Sequence, residues 1–290
     1  MPILQLMRPS QWVKNSLVFA ALIFSGAYLY PEDWIVALLA FAGFSLTASG
    51  IYAVNDVLDV KYDRLHPVKR NRPVASGRIS PLGAILIAVV LIAAGIGISL
   101  WINTAAAIIA AAYVVLMLLY SVWLKHVMLL DVLIIAIGLT MRAVYGAEAI
   151  EVSISHWLVI CAFLISLMLA LVKRRQELVR IGEELDKGRR SLRSAPPLTA
   201  WDQWINSIAG ITILAYILYT VDERTLAHVG SSHLLYTTPF VIYGIFRYLG
   251  QVQRTQTGED PTDALLQDTG IRIAVIGWLV MVLLVLGGTI

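Results

Sequence analysis

From Ile79 to Leu124 this 290-residue chain carries no Asp, Glu, Lys or Arg. Asn103-Thr104 reads as a tight turn dividing the run into two apolar segments, Pro81–Ile102 and Ala105–Leu124. An uncharged apolar segment of about 20 residues is long enough to cross a hydrocarbon layer, and a helix pairs its own backbone polar groups where lipid offers no partner. Seven more segments read the same way: Leu17–Tyr30, Trp34–Val54, Val127–Ala149, Trp157–Val172, Ile205–Val221, Leu234–Leu249 and Ile271–Ile290. The expected fold is therefore an all-α integral membrane protein, a bundle of about nine transmembrane helices forming one domain over residues 1–290. Composition agrees, with 59% hydrophobic and only 14% charged residues and a mean hydropathy of +0.77, where soluble domains carry about 25% charged residues. No cleavable leader is expected, because no small-residue cleavage site follows the first apolar run.

The charge that remains is unevenly placed. Residues 1–15, with Arg8, Trp12 and Lys14, read as an interfacial arm. If that arm is cytoplasmic, the polar segments 55–80, 125–126, 173–204 and 250–270 share its side. Of the 22 Lys and Arg residues, Arg224 falls on the opposite side and Arg142 within a span, which leaves 20 on the cytoplasmic face. The single cysteine, Cys161, sits in an apolar run and permits neither an intrachain disulfide nor a zinc cluster. No Walker loop, dinucleotide glycine motif or nucleophile–His–acid set is present, and only His66 of the five histidines lies near a polar motif. No nucleic-acid partner is expected.

The motif in question follows the second span. In Asn55-Asp56-Val57-Leu58-Asp59-Val60-Lys61-Tyr62-Asp63, the three aspartates are spaced i, i+3 and i+7, on one helical face. Like charges on one stripe repel unless something positive sits among them. Mg²⁺ takes oxygen ligands and commonly bridges one or two carboxylates to substrate phosphates. Lys69, Arg70 and Arg72 follow, and a guanidinium matches phosphate oxygens. Carboxylates and then bases at a membrane edge read as a metal–diphosphate site, against the plainer reading of a solvated loop with local ion pairs.

Other polar residues carry two readings each. Arg142 lies mid-span, where a charge is expensive, and is expected to contact an anion within the bundle. Asp131, eleven residues earlier in the same segment, is too far for direct contact, so each needs its own partner. Lys125 either snorkels to headgroups or gives a point charge to a bound phosphate, with Tyr120 hydrogen-bonding nearby. Lys173 and Arg174 are either a membrane anchor or a phosphate clamp, with Glu177 one turn on pairing them or binding metal. Arg8 and Lys14 carry the same ambiguity.

Asn55-Asp56-x-x-Asp59-x-x-x-Asp63, with Arg72-Pro73 and Gly77 behind it, resembles the first aspartate-rich motif of the UbiA superfamily of intramembrane transferases. That resemblance implies a nine-helix bundle with a Mg²⁺–diphosphate site in a polar cavity facing the cytoplasm. Tyr120 to Lys125, and Arg142 with Gly146, also sit where the superfamily keeps functional positions. Ordinary members carry a second aspartate-rich motif after the sixth span, where this chain has Lys173-Arg174-Arg175-Gln176-Glu177. With Arg8-Pro9-x-Gln11-Trp12-Val13-Lys14-Asn15, His66-Pro67-x-Lys69-Arg70 and Gly258-Glu259-Asp260-Pro261, this resembles the decaprenyl-phosphate phosphoribosyltransferase branch.

The branch resemblance implies transfer of 5-phosphoribose from phosphoribosyl pyrophosphate to a polyprenyl phosphate, for a lipid-linked pentose donor used in cell-wall arabinan. Asp56, Asp59 and Asp63 would hold Mg²⁺, with Arg72 and Lys125 as catalytic cations. Asn55, Lys14, Arg8, Lys69, Arg70, Tyr120, Arg142, Lys173, Arg174 and Glu177 would bind substrate. The location implied is a bacterial inner membrane with the site facing the cytoplasm, and a homo-oligomer is allowed. Two other readings stand beside it: a prenyltransferase acting on an aromatic or glycerol-phosphate acceptor, and a transporter coupling ions through Arg142 and the aspartates.

Overall fold

A computed structural model describes residues 1–153, 155–181, 196–254 and 268–288. Among them there is no β-strand. The helices are α1 (Pro2–Met7), α2 (Ala20–Phe24), α3 (Pro31–Leu58), α4 (Val60–Leu65), α5 (Pro81–Ile102) and α6 (Thr104–Val122). They continue with α7 (Leu130–Ala149), α8 (His156–Ile181), α9 (Leu198–Val221), α10 (Glu223–Val229), α11 (Thr238–Arg254) and α12 (Thr269–Leu286). Seven of the described helices, α3, α5 to α9 and α12, are long and apolar enough to cross a membrane.

Local signals set the helix ends. Pro81 occupies the first turn of α5, and the Ser80 hydroxyl accepts from the Gly83 N–H at 3.1 Å. Asn103 is extended, ends α5 and caps α6, its side chain accepting from the Ala106 N–H at 2.7 Å. Apolar side chains such as Leu86, Val89 and Val90 on α5 and Ile273 and Ile276 on α12 remain exposed. In water such faces would be a liability; against lipid they need no cover. The protein is a multi-pass membrane protein.

The chain forms two compact units. Unit 1 comprises Met1–Lys125 and Gly138–Ile154, and unit 2 comprises His126–Ile137 and Ser155–Ile290. Helix α7 contributes its first turns to unit 2 and the remainder to unit 1. In unit 1, α3 and α5 pack through small residues. A Cβ at Gly95 would run into Thr47 and the Gly43 carbonyl, so only glycine permits this approach. The core holds Phe44, with ring centroids 4.7 Å from Tyr113 and 5.0 Å from Tyr145, whose hydroxyl meets Ser99 Oγ at 2.8 Å. Unit 2 is built on Trp201, Tyr248, Met168, Leu171, Ile205 and Ile271 from α8, α9, α11 and α12.

Three expectations change. The predicted span Leu17–Tyr30 is not one helix: a 3₁₀ segment runs Pro9–Phe19, α2 follows, and Gly26 takes a left-handed φ of 75° before a further 3₁₀ turn. Its 14 residues would make a helix of only about 21 Å against a hydrocarbon core of about 30 Å. The chain here packs on unit 1 instead. Asn15 donates to Ser45 Oγ at 3.0 Å, and the Val18 carbonyl lies where a Cβ of Gly146 would stand. The eighth predicted span is α11, whose 17 described residues include Arg247, Gln251 and Arg254. Finally, residues 173–181 of the predicted basic loop continue α8, and 198–204 open α9. Glu183, Glu184, Arg189, Arg190 and the Gly258-Glu259-Asp260-Pro261 motif lie outside the described residues.

Candidate active site

Helix α3 carries its apolar pattern to the membrane edge and ends at Leu58. Asp59, with φ −92° and ψ 3°, joins it to α4 almost without a break. The i, i+3, i+7 face is therefore largely kept. Asp56 and Asp63 are 1% and 4% exposed, whereas Asp59 remains half-buried.

Burying two carboxylates demands compensating charge, and the fold supplies it from three distant places. Arg72 Nη1 donates to Asp63 Oδ2 at 2.7 Å and reaches Asp56 Oδ1 at 3.3 Å, bridging the two acids. Arg8 Nη2 also donates to Asp56 Oδ1. Lys125, 7% exposed, donates to Asp59 Oδ1 at 2.7 Å. Three carboxylates thus face three cations. Burial holds the Arg8 guanidinium below its ordinary pKa against the opposing pull of Asp56, and a guanidinium stays charged regardless.

The loop behind the motif is fixed by residues that sequence reasoning passed over. Arg64 Nε donates to the Ala75 carbonyl at 3.2 Å. Arg78 donates to the Asn71 carbonyl at 2.5 Å and to Gln5 Oε1 at 2.7 Å, tying the loop to α1. Gly77 supplies the left-handed turn, at φ 77°. Nothing in their spacing distinguishes these arginines from the ordinary bases of a cytoplasmic loop.

The remaining expected residues are distributed as follows. Asn55 is half-buried in the last turn of α3, and Tyr120 is half-buried near the end of α6. Lys69 and Arg70 lie exposed on a 3₁₀ turn, Lys69–Asn71. Lys14 Nζ donates to Gln11 Oε1 at 2.6 Å. Arg142, 4% exposed, does not meet a carboxylate within ion-pair range among the described residues. It donates instead to Asn15 Oδ1 at 2.7 Å, Tyr113 Oη at 3.2 Å and the Gly138 carbonyl, and lies 5.1 Å from both the Phe44 and Tyr113 ring centroids. Its protein partners are neutral oxygens and aromatic faces.

Unit 2 holds the other expected group. Arg174, 2% exposed, makes ion pairs with Asp131 Oδ2 at 2.5 Å and with Glu177. Asp131 does have its own partner, and Arg174 joins α7 to α8 within this unit. Lys173 is half-buried on the same helix, and Arg175 pairs with Asp202 at 2.5 Å.

A metal fits the unit 1 group by donor chemistry. The candidate ligands are carboxylate oxygens, as Mg²⁺ requires, and Asp56 Oδ2 is buried without a hydrogen-bond partner. Among the described residues no three acidic, His or Cys side chains converge closely enough to hold an ion by themselves. Such a site would take one or two carboxylates and complete its shell from substrate.

The sequence pattern of the UbiA prenyltransferase family matches residues 16–267. The chain belongs to the UbiA prenyltransferase family. Within this family it is 33% identical over 288 residues to a protein of Mycolicibacterium smegmatis named decaprenyl-phosphate phosphoribosyltransferase, covering 96% of this chain and 90% of the relative. A protein of the same name from Corynebacterium glutamicum is 34% identical over 278 residues, covering 94% and 82%. Among solved structures, a UbiA homologue from Archaeoglobus fulgidus bound to DMAPP and Mg²⁺ matches with a TM-score of 0.71 at 16% identity, covering 99% of each chain. At that identity the likeness concerns the fold. This UbiA-family chain is a membrane-embedded transferase.

Proposed function

We propose that this enzyme transfers 5-phosphoribose from phosphoribosyl pyrophosphate to a polyprenyl phosphate such as decaprenyl phosphate, releasing pyrophosphate. The observation that carries the reading is the set of three carboxylates, two of them buried, each held by a cation drawn from elsewhere in unit 1. Relatives named for this reaction, aligned over nearly the whole chain, supply the substrate class.

One or two carboxylates of the Asp56, Asp59 and Asp63 set, Asp56 with its bare buried Oδ2 foremost, would hold Mg²⁺, and the donor's diphosphate would complete the shell. When bound there, Mg²⁺ supplies Lewis-acid stabilisation of the leaving group and orients it. Arg72 and Lys125 place fixed positive charge beside those carboxylates, where negative charge builds as pyrophosphate departs. Bond breaking leaves oxocarbenium-like character on the sugar, and the acceptor phosphate oxygen attacks the opposite face of the anomeric carbon. A phosphate monoester is largely ionised at neutral pH, so no general base is required. Asn55, Tyr120, Lys14, Lys69 and Arg70 are polar contacts for the donor. The assignment rests on the aspartates of unit 1 and the cations that meet them. The charge asymmetry supports a cytoplasm-facing site, and the resemblance to the phosphoribosyltransferase branch supports a bacterial inner membrane and a role in supplying lipid-linked pentose for cell-wall arabinan.

The test is direct. Purified protein incubated with Mg²⁺, radiolabelled phosphoribosyl pyrophosphate and decaprenyl phosphate should yield an organic-phase product, and chelation of the metal should abolish it. Label that stays in the aqueous phase, while a prenyl diphosphate is consumed with an aromatic or glycerol-phosphate acceptor, would overturn the assignment in favour of prenyl transfer.

A further inference from the structure

We propose that Arg8 is a place-holding counter-ion: it neutralises Asp56 until a divalent cation arrives, then swings its guanidinium onto the bound diphosphate. This rests on the reading of the carboxylates as a metal–diphosphate site. The two oxygens of Asp56 are unequally served. Oδ1 takes both Arg8 Nη2 and Arg72 Nη1, while Oδ2 is buried with no partner. A carboxylate with one crowded and one bare oxygen is set to exchange a partner rather than to keep both.

Of the two guanidinia, only Arg8 is placed to leave. Arg72 is also bonded to Asp63 at 2.7 Å, and its backbone carbonyl is held by the Ser76 hydroxyl at 2.8 Å. Displacing its guanidinium would unfasten two acids at once. Arg8 has Asp56 as its one ion-pair partner among the described residues, whereas Arg72 has two. A cavity of about 450 Å³, lined by Gln5, Arg8, Ser10 and Gln11 among others, adjoins it and gives the side chain room. The Tyr52 ring, 5.4 Å from the guanidinium, is a face along which it slides without losing contact.

The backbone explains why the swing stays local. Ser49 Oγ, within 2.8 Å of the Met7 carbonyl and 2.7 Å of the Ser45 carbonyl, accepts from Trp12 Nε1 at 3.0 Å, so α3 holds the chain on both sides of Arg8. Between the pins Arg8 adopts φ 54° and ψ 62°, a left-handed conformation that residues other than glycine rarely take. The fold thus keeps a strained backbone at the one residue whose side chain reaches Asp56 from the arm.

The test uses Mn²⁺ as the probe, with free ion counted by electron paramagnetic resonance on purified full-length protein. Because Arg8 competes with the metal for Asp56, Arg8→Ala should tighten binding of Mn²⁺ alone, on the order of tenfold. The same substitution should weaken pyrophosphate binding in saturating Mn²⁺, because a phosphate partner is lost. Arg8→Gln, which keeps the stem over Tyr52, should behave alike and serves if Arg8→Ala does not fold. Unchanged or weaker Mn²⁺ binding in a folded variant, while Asp56→Asn abolishes it in the parent, would overturn the role of Arg8 and leave the metal site standing. Absence of any Asp56-dependent Mn²⁺ binding in the parent would overturn the metal-site reading and this inference with it.

Discussion

At the scale of single residues, the strongest constraint is that no charge in unit 1 is buried idly. Lys125 and Asp59, 66 residues apart in sequence, are brought to 2.7 Å. Asp59→Ala should leave the fold intact yet lower turnover by a factor of about 10²–10³ or more, the scale of losing one aligned electrostatic contact. A melting curve beside a turnover assay separates the two effects; a matched loss of folding and activity would contradict a catalytic role. Arg142 behaves differently. Its guanidinium ties Asn15, Tyr113 and Gly138 together, and hydrogen bonds to a charged group are worth about 1.5–3 kcal/mol each. Arg142→Ala should depress the melting temperature clearly, and Arg142→Lys should not restore it, because an ammonium lacks the planar fork. Neither pairing was legible beforehand. The aspartate spacing and the costly mid-span arginine are visible in the sequence, but which cation meets which acid depends on contacts between segments many residues apart.

At the scale of elements, the first predicted span shows where pattern reading stops. Leu17–Tyr30 has the composition of a membrane helix, yet close contact with α7 draws it onto unit 1 as 3₁₀ segments. One sequence trace of that contact is a glycine. A Cβ at Gly146 would collide with the backbone of Val18, which has no flexible side-chain end to give way. Gly146→Ala should therefore destabilise the protein by about 1–3 kcal/mol, measurable as a fall in melting temperature, whereas Gly97→Ala, facing open space, should not. The start of α12 offers a pH test. Asp268 accepts from the Ile271 N–H at 2.8 Å and pairs with Arg247 at 3.1 Å. Arg247 first, then that N–H, lower its pKa from 3.8 to about 2. A lowered folded-state pKa means that the carboxylate stabilises fully above its ordinary value of 3.8 and loses its effect as pH falls toward 2. The melting-temperature gap between parent and Asp268→Asn should be constant from neutral pH to about 5 and shrink below 4.

At the scale of the molecule, membrane insertion was the most legible property. Runs such as 79–124, devoid of charge, admit few alternatives in water. The expected count of nine spans was less secure than the class. Seven described helices meet the requirement of length and apolarity; Leu17–Tyr30 is divided between 3₁₀ and α segments, and α11 has 17 described residues and carries Arg247 and Gln251. The basic stretch after α8's apolar part was legible as charge but not as structure: it continues α8, and Arg174 closes an ion-pair group with Asp131 and Glu177 in unit 2. The proposed function takes a lipid phosphate as acceptor and a sugar diphosphate as donor. The most direct measurement supplies phosphoribosyl pyrophosphate labelled with ¹⁴C in the ribose and ³²P in the terminal phosphate, together with Mg²⁺ and decaprenyl phosphate, and follows both labels. The account predicts ¹⁴C in the lipid extract and an equal amount of ³²P released to water as pyrophosphate, with neither in the Asp56→Asn variant. Both labels remaining on unreacted donor in the metal-loaded, folded parent enzyme would contradict it.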